Sequence, residues 1–169
     1  NVGLALCELP ELPLLAQNEG LTLALDDIRD PGNLGTIVRL ADWFGIENIL
    51  CTKESVDLYN PKVIMSTMGS FSRVKVHYID LQSYIDNYKG NIFGTFMEGE
   101  SIYSSQLPQT GILVMGNEAN GISKNIEAKC THKISIPFFG LNGTTESLNV
   151  AVATSIILGE FKSQLSKKS

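Results

Sequence analysis

Three short polar clusters, each bracketed by glycine or asparagine, hold most of the residues in this chain that could do chemistry. The first is Asn33-Leu34-Gly35-Thr36-Ile37-Val38-Arg39, with an amide and a guanidinium six residues apart. The second is Gly116-Asn117-Glu118-Ala119-Asn120-Gly121, tight loop chemistry around one carboxylate. The third runs from Gly140 through Leu141-Asn142-Gly143-Thr144-Thr145-Glu146 to Ser147-Leu148-Asn149-Val150. There a wide glycine loop opens a helix, whose unpaired N–H donors and positive dipole end gather beside Ser147 and Asn149. Taken singly, Arg39 is a solvated arginine and the second cluster a turn. All three follow strand-like runs. In open α/β sheets ligands bind outside the carboxyl ends of strands, so the three together describe a small-molecule site.

The elements that must position these clusters follow from periodicity. Leu21-Thr22-Leu23-Ala24-Leu25 reads as a buried strand, and Asp26 to Gly32 as turn chemistry with Asn33 as helix N-cap. Leu34, Ile37, Val38, Ala41 and Phe44 recur on one helical face, and Gly45 ends that helix. Arg39 points away from this face. A strand at Glu47–Thr52 precedes a short helix from Asn60-Pro61 to Met68. Then come a strand at Val74–Ile79, a helix at Leu81–Tyr88 and a strand at Asn91–Phe96. Gly111–Met115 is a further buried strand, and Ser123 or Asn125 caps a short helix carrying Ile126. Ile134–Ile136 is the last strand, stopped by Pro137, and Leu148–Lys162 the last helix.

Strands alternating with helices predict an α/β fold, a mostly parallel sheet with helices on both faces. The chain of 169 residues is one domain, read as residues 21–169 after an irregular lead-in over residues 1–20. Asn1 is not Met, so the expectation is a trimmed chain that has lost a preceding domain. The last helix is apolar around most of its circumference, from Leu148 and Val150 to Phe161. One side is expected to pack on the sheet and another on a second copy, a homodimer through this helix.

Composition excludes several classes. No apolar run approaches the roughly 20 residues of a membrane span, and the longest is broken by Thr154, Ser155 and Gly159. Cys7, Cys51 and Cys130 are odd in number and far apart, the pattern of reduced cytosolic thiols rather than a disulfide framework or zinc site. His77 and His132 read as structural or surface residues, and no metal is expected. A net charge of −5 argues against gripping nucleic acid with the whole surface, while leaving room for a local basic patch. No dinucleotide fingerprint, phosphate loop or nucleophile elbow is present.

Asn33-x-Gly35-x-x-x-Arg39, Gly116-x-Glu118-x-x-Gly121 and Ile136-Pro137…Glu146-Ser147-Leu148-Asn149-Val150-Ala151-Val152-Ala153 resemble, in that order, the three motifs of the SpoU (TrmH) branch of the SPOUT RNA methyltransferases. The likeness runs from about Leu21 to Phe161. It implies methyl transfer from S-adenosylmethionine to a ribose 2′-hydroxyl of tRNA or rRNA. It also implies a homodimer and a carboxyl-terminal trefoil knot, while the cysteine pattern is the ground for expecting a cytoplasmic location.

By the same resemblance the catalytic set is Arg39, Asn33, Glu118, Ser147 and Asn149. Arg39 matches the family's proposed base. A guanidinium normally stays protonated, so Arg39 binding the phosphate and orienting the hydroxyl, with proton removal shared, is the more cautious role. Asn33 would position Arg39 or the ribose. The cofactor would lie against Met115, Gly116, Ile136 and Leu148, with Thr95 and Gly99 in a loop that closes over it. Two departures stand out. Relatives place the serine four residues after the glycine that follows Ile-Pro. Gly143 has that spacing to Ser147 and Gly140 lies three further back, which indicates a three-residue insertion around Phe138–Gly143. The small RNA-binding domain that precedes many relatives has no counterpart in this sequence. Lys162, Lys167 and Lys168 form a short basic tail that reads as a solvated end. A non-catalytic knotted RNA-binding relative is the alternative, and a nicotinamide-dependent oxidoreductase is disfavoured by the missing glycine fingerprint.

Overall fold

The structure is a computed structural model and describes residues 20–140 and 147–166, together with Leu6, Glu8, Leu9 and Leu12. Most of the irregular lead-in, the loop residues 141–146 with part of the insertion expected around Phe138–Gly143, and the tail at Lys167 and Lys168 lie outside the described residues.

Alternation of side chains along each strand sorts the core into two layers. The strands are β1 (Leu21–Asp26), β2 (Asn48–Thr52), β3 (Lys75–Ile79), β4 (Ile92–Ser101), β5 (Gly111–Gly116) and β6 (His132–Ser135). Their order in the sheet is β3-β2-β1-β5-β4-β6, with every pair parallel. Leu21, Leu23, Leu25, Ile49, Cys51, Leu113 and Met115 point to one face. Ala24, Leu50, Ile112 and Val114 point to the other. A parallel strand covered on both sides must be apolar on both, as these are.

The first face is covered by α1 (Pro31–Trp43), α2 (Pro61–Thr67) and α5 (Val150–Ser166), which bury Leu34, Ile37, Val38, Val63, Leu158 and Phe161 against it. Each such side chain contributes about 1.5–3 kcal/mol when fully removed from water. The second face is covered by α3 (Leu81–Asp86) and α4 (Lys124–Glu127) through Leu81, Ile85 and Ile126, with Ile122 from the turn before α4. The α/β, mostly parallel reading therefore holds. No helix of the described residues is long and apolar enough to cross a membrane.

Four details differ from the expectation. The N-cap of α1 is Asp30, whose carboxylate accepts from the Asn33 N–H at 2.8 Å, and Pro31 takes the first helical position. Asn33 sits inside the first turn, which leaves its side chain available for other partners. The segment Thr95–Gly99, expected as a loop, belongs to β4, which continues past Phe96 to Ser101 through an irregularity between Thr95 and Glu100. Gly99 is required there because a Cβ would stand 2.8 Å from the Lys133 carbonyl oxygen. The last strand occupies His132–Ser135 and stops before Ile136. The last helix starts at Val150, two residues later than expected, and runs on to Ser166.

Candidate functional site

The carboxyl ends of β1 and β5 lie side by side, with Asp26 paired to Gly116, so the loops leaving them meet. The loop from β1 into α1 is pinned to the one after β2. Asp27 N–H donates to Thr52 Oγ1 at 2.9 Å, Ile28 N–H to Ser55 Oγ at 3.1 Å and Val56 N–H to the Ile28 carbonyl at 2.9 Å. This holds the first turn of α1 and Asn33 with it.

After β5 the chain doubles back on itself. Asn117 and Gly121 exchange both backbone hydrogen bonds, at 3.0 and 2.9 Å. A Cβ on Gly116 would lie 2.3 Å from the Gly121 carbonyl carbon and the Ile122 nitrogen, and Gly121 has φ +69°. Both glycines are therefore demanded by the closure of the loop itself. Glu118 projects from it into solvent.

Asn149 joins the third cluster to the other two. Its Oδ1 accepts from the N–H groups of Ala151 and Val152 at 3.0 and 3.3 Å, capping α5. That commits its Nδ2 to donation, and the acceptor is Asn33 Oδ1 at 2.9 Å. Asn33 Nδ2 in turn donates to Glu118 Oε1 at 2.8 Å. The polarity of the whole chain is thus set by the helix end. Backbone N–H groups fix Asn149, Asn149 fixes Asn33, and Asn33 presents a donor that only an acceptor such as the Glu118 carboxylate can meet.

The remaining sequence-selected residues are distributed around this chain. Ser147 and Leu148 directly precede Asn149 and are exposed, Leu148 at 47%. Arg39 is exposed on α1 and makes no hydrogen bond or ion pair among the described residues. It stands six residues beyond Asn33, about 9 Å along the helix axis. The Met115 side chain is part of the core, which leaves its backbone to a ligand, and the partly buried Ile136 packs against that core. The Thr95 hydroxyl is already used on the Val114 carbonyl at 3.0 Å. A hollow of about 320 Å³ lined by Asp30, Pro31, Gly32, Lys62, Met65 and Ser66 opens beside the first turn of α1.

Other reactive groups stay out of this site. Burial pushes the Cys51 thiol up to about 12 and, with Glu127 nearby, the Cys130 thiol up to about 11, so neither is a nucleophile at neutral pH. His77 is half-buried beside Asn48, and burial with the neighbouring Lys75 lowers its pKa. His132 opens β6 at the opposite rim and stacks on Phe93. Among the described residues no group of three or more His, Cys, Asp or Glu side chains is arranged to hold a metal ion. Two contributors escaped the sequence reading, the Asp30 cap and Asn117. An aspartate directly before Pro-Gly is a cap signal that was available for the first.

The chain matches the SpoU rRNA Methylase family over residues 20–159. It is 33% identical over 159 residues to the 23S rRNA (guanosine(2553)-2′-O)-methyltransferase RlmP of Bacillus subtilis, which covers 91% of this chain and 62% of that protein. It is 35% identical over 151 residues to the 23S rRNA (guanosine-2′-O-)-methyltransferase RlmB of Neisseria meningitidis, covering 85% and 58%. The chain thus spans about six-tenths of the length of these relatives. Among solved structures it superposes on the AdoMet-bound rRNA methyltransferase of Sinorhizobium meliloti with a TM-score of 0.79 and 30% identity, covering 88% of this chain and 58% of the other. With the sheet, the hydrogen-bond chain through Asn149, Asn33 and Glu118 and this match spanning nearly all of the described residues, the chain belongs to the SpoU rRNA methylase family.

Proposed function

We propose that this protein transfers a methyl group from S-adenosylmethionine to a ribose 2′-hydroxyl of rRNA or tRNA. The observation that carries this reading is the Asn149–Asn33–Glu118 hydrogen-bond chain, which joins one residue from each of the three motifs in a single site. The relatives, rRNA 2′-O-methyltransferases, support the reaction type, and the AdoMet-bound neighbour supports the cofactor.

The residues present suit that cofactor. Its sulfonium is cationic, and the groups offered by Met115, Gly116, Ile136, Ser147 and Leu148 are neutral, with the Glu118 carboxylate beside them. When bound, it supplies a methyl group whose leaving group is a neutral thioether, so the chemistry needs no metal. Asn149 and Asn33 hold Glu118 in place at the edge of the pocket. Arg39, without a hydrogen bond or ion pair among the described residues, binds the RNA phosphate and orients the 2′-hydroxyl, with proton removal shared between it and its surroundings. Lys62, in the hollow beside α1, adds a second cation for the RNA backbone. Ser147 shapes the side of the pocket that faces the ribose. Thr95 and Gly99, within β4, support the pocket wall.

The same reading includes a homodimer and a knot. Leu148 and Val152 are 47% and 50% exposed at the start of α5, and Trp43, Met65 and Met68 are 84%, 75% and 73% exposed at α1 and α2 on the same layer. An apolar outer surface on one helical layer favours burial against a second copy. The knot is supported by the position of β6 at the sheet edge and the return of α5 to pack on α1 and β5. The catalytic domain is taken as residues 21–169, and a cytoplasmic location belongs to the same reading, supported by the odd number of widely spaced cysteines.

The test is incubation with tritiated S-adenosylmethionine and unmodified ribosomal or transfer RNA, then nucleoside mass spectrometry. A 2′-O-methylated nucleoside is expected. Cofactor binding with no transfer to any RNA would leave a non-catalytic RNA-binding relative, and methylation of a base would remove the ribose assignment. In cells lacking the protein, one ribose methyl group should disappear from total RNA.

A further inference from the structure

Asn117 uses its whole side chain. Its Nδ2 donates to the Asp27 carbonyl at 2.8 Å and lies 3.3 Å from Asp27 Oδ2. Its Oδ1 accepts from the N–H groups of Ala119 and Asn120 at 2.9 and 3.0 Å. With the paired backbone bonds to Gly121, one residue closes the loop from inside and fastens it to the end of β1. Ninety residues of chain separate the two partners.

The anchor is itself braced. Asp27 has φ +58°, a conformation that a non-glycine residue holds only when its surroundings insist. Here Thr52 accepts from its N–H, and Arg29 donates to its Oδ1 at 2.7 Å. That turn of the backbone accompanies the carbonyl that receives Asn117. The preceding residue, Asp26, is buried and accepts from the Ser123 N–H at 2.7 Å. Two adjacent acids at the end of β1 therefore hold the entry and the exit of the loop that carries Glu118.

We infer that Asn117 is a positioning residue for methyl transfer, anchored by Asp27, and that it aims Glu118 at Asn33 without touching substrate or cofactor. Glu118 is the next residue in the chain, and its side chain has Asn33 as its hydrogen-bond partner among the described residues. Its direction is consequently set by the turn that Asn117 closes. The catalytic half of this inference rests on the methyltransferase reading above, whereas the anchoring half does not.

The test uses the full chain as wild type, Asn117→Asp and Asn117→Ser. Asn117→Asp keeps the acceptor for Ala119 and Asn120 but turns a carboxylate oxygen toward the Asp27 carbonyl and carboxylate. Asn117→Ser keeps a shorter acceptor and adds no charge, which guards against a variant lost to misfolding. Hydrogen exchange by mass spectrometry over residues 116–123 needs no substrate. It should accelerate at least tenfold in both variants while β1, α1 and α5 keep wild-type protection. Steady-state transfer from S-adenosylmethionine to transcribed, unmodified ribosomal or transfer RNA, whichever the wild type methylates, should show kcat at least tenfold lower, with KM for S-adenosylmethionine within threefold of wild type. General destabilisation would instead raise exchange in β1 and α5 as well, and that result overturns the inference. So does unchanged exchange in the loop, or wild-type kcat with a loosened loop. If the wild-type chain transfers no methyl group, the functional reading and the catalytic half fall together, and exchange alone decides the anchoring.

Discussion

The Asn149 side-chain amide donates to Asn33 Oδ1 at 2.9 Å across 116 residues of sequence, while its oxygen caps α5. One residue thus ends a loop, starts a helix and reaches the first turn of another helix. The two duties can be separated. Asn149→Ala should lower stability by about 1 kcal/mol, because the cap is lost, whereas Asn149→Ser should stay within a few tenths because serine caps as well. For a domain of this size the alanine change corresponds to about 2–4 °C in Tm. Both variants lose the amide to Asn33, so both should lose methyl transfer. Thermal melts and transfer assays on the pair check this, and an active serine variant would detach the amide from function.

Arg39 is exposed and lacks protein partners among the described residues. Arg39→Ala should therefore change stability by less than about 0.5 kcal/mol, as for other surface substitutions. Methyl transfer should fall at least hundredfold, on the order seen when an orienting contact is lost. Cofactor affinity by calorimetry should match wild type. Turnover near wild type would retire the assigned role.

Two glycines face backbone at distances no side chain tolerates. A Cβ on Gly35 would stand 2.4 Å from the Ser66 Cβ and 2.8 Å from the Val63 carbonyl oxygen, forcing α1 from α2. Gly35→Ala should cost about 1–3 kcal/mol by urea denaturation. Gly116→Ala meets the backbone of Gly121 and Ile122 instead. It should displace the Gly116 backbone itself, which the proposed reading sets against the cofactor, and weaken S-adenosylmethionine binding; calorimetry showing normal affinity would count against Gly116's place in the pocket.

Val152 is half exposed on α5. If that surface meets a second copy, Val152→Glu buries a carboxylate without a partner and should convert a dimer to a monomer in sedimentation velocity. A wild-type protein that sediments as a monomer would remove the dimer from the proposal.

The two described thiols offer a pH test. Burial disfavours the thiolate, so pKa rises, to about 12 for Cys51 and about 11 for Cys130. Alkylation requires the thiolate, whose fraction at pH 8 is then on the order of 10⁻⁴ and 10⁻³. Peptides carrying Cys51 and Cys130 should stay unmodified by iodoacetamide at pH 8 in the folded protein and react in 8 M urea (about that strength). Rapid labelling of either in the folded state would contradict its burial.

Local order was legible in the residues alone. Leu34, Ile37, Val38 and Ala41 repeat at helical spacing and are all buried, and the strand runs of β1, β2 and β5 alternate between two cores as their period requires. Where two local signals competed, the reading erred. Asn33 and Asp30 are both good caps, and the proline at position 31 decided for Asp30 because it takes the first helical turn. The motif residues could be named from type and spacing, but not their partners. Asn33 meets Glu118 and Asn149, and Asn117 meets Asp27, only because crossovers place β5 beside β1 and bring α5 back onto α1. A hydrogen bond acts over about 3 Å, and periodicity carries no information about which distant segment arrives within that range. Residue type and spacing determined the chemistry on offer; the order of strands decided which groups share it.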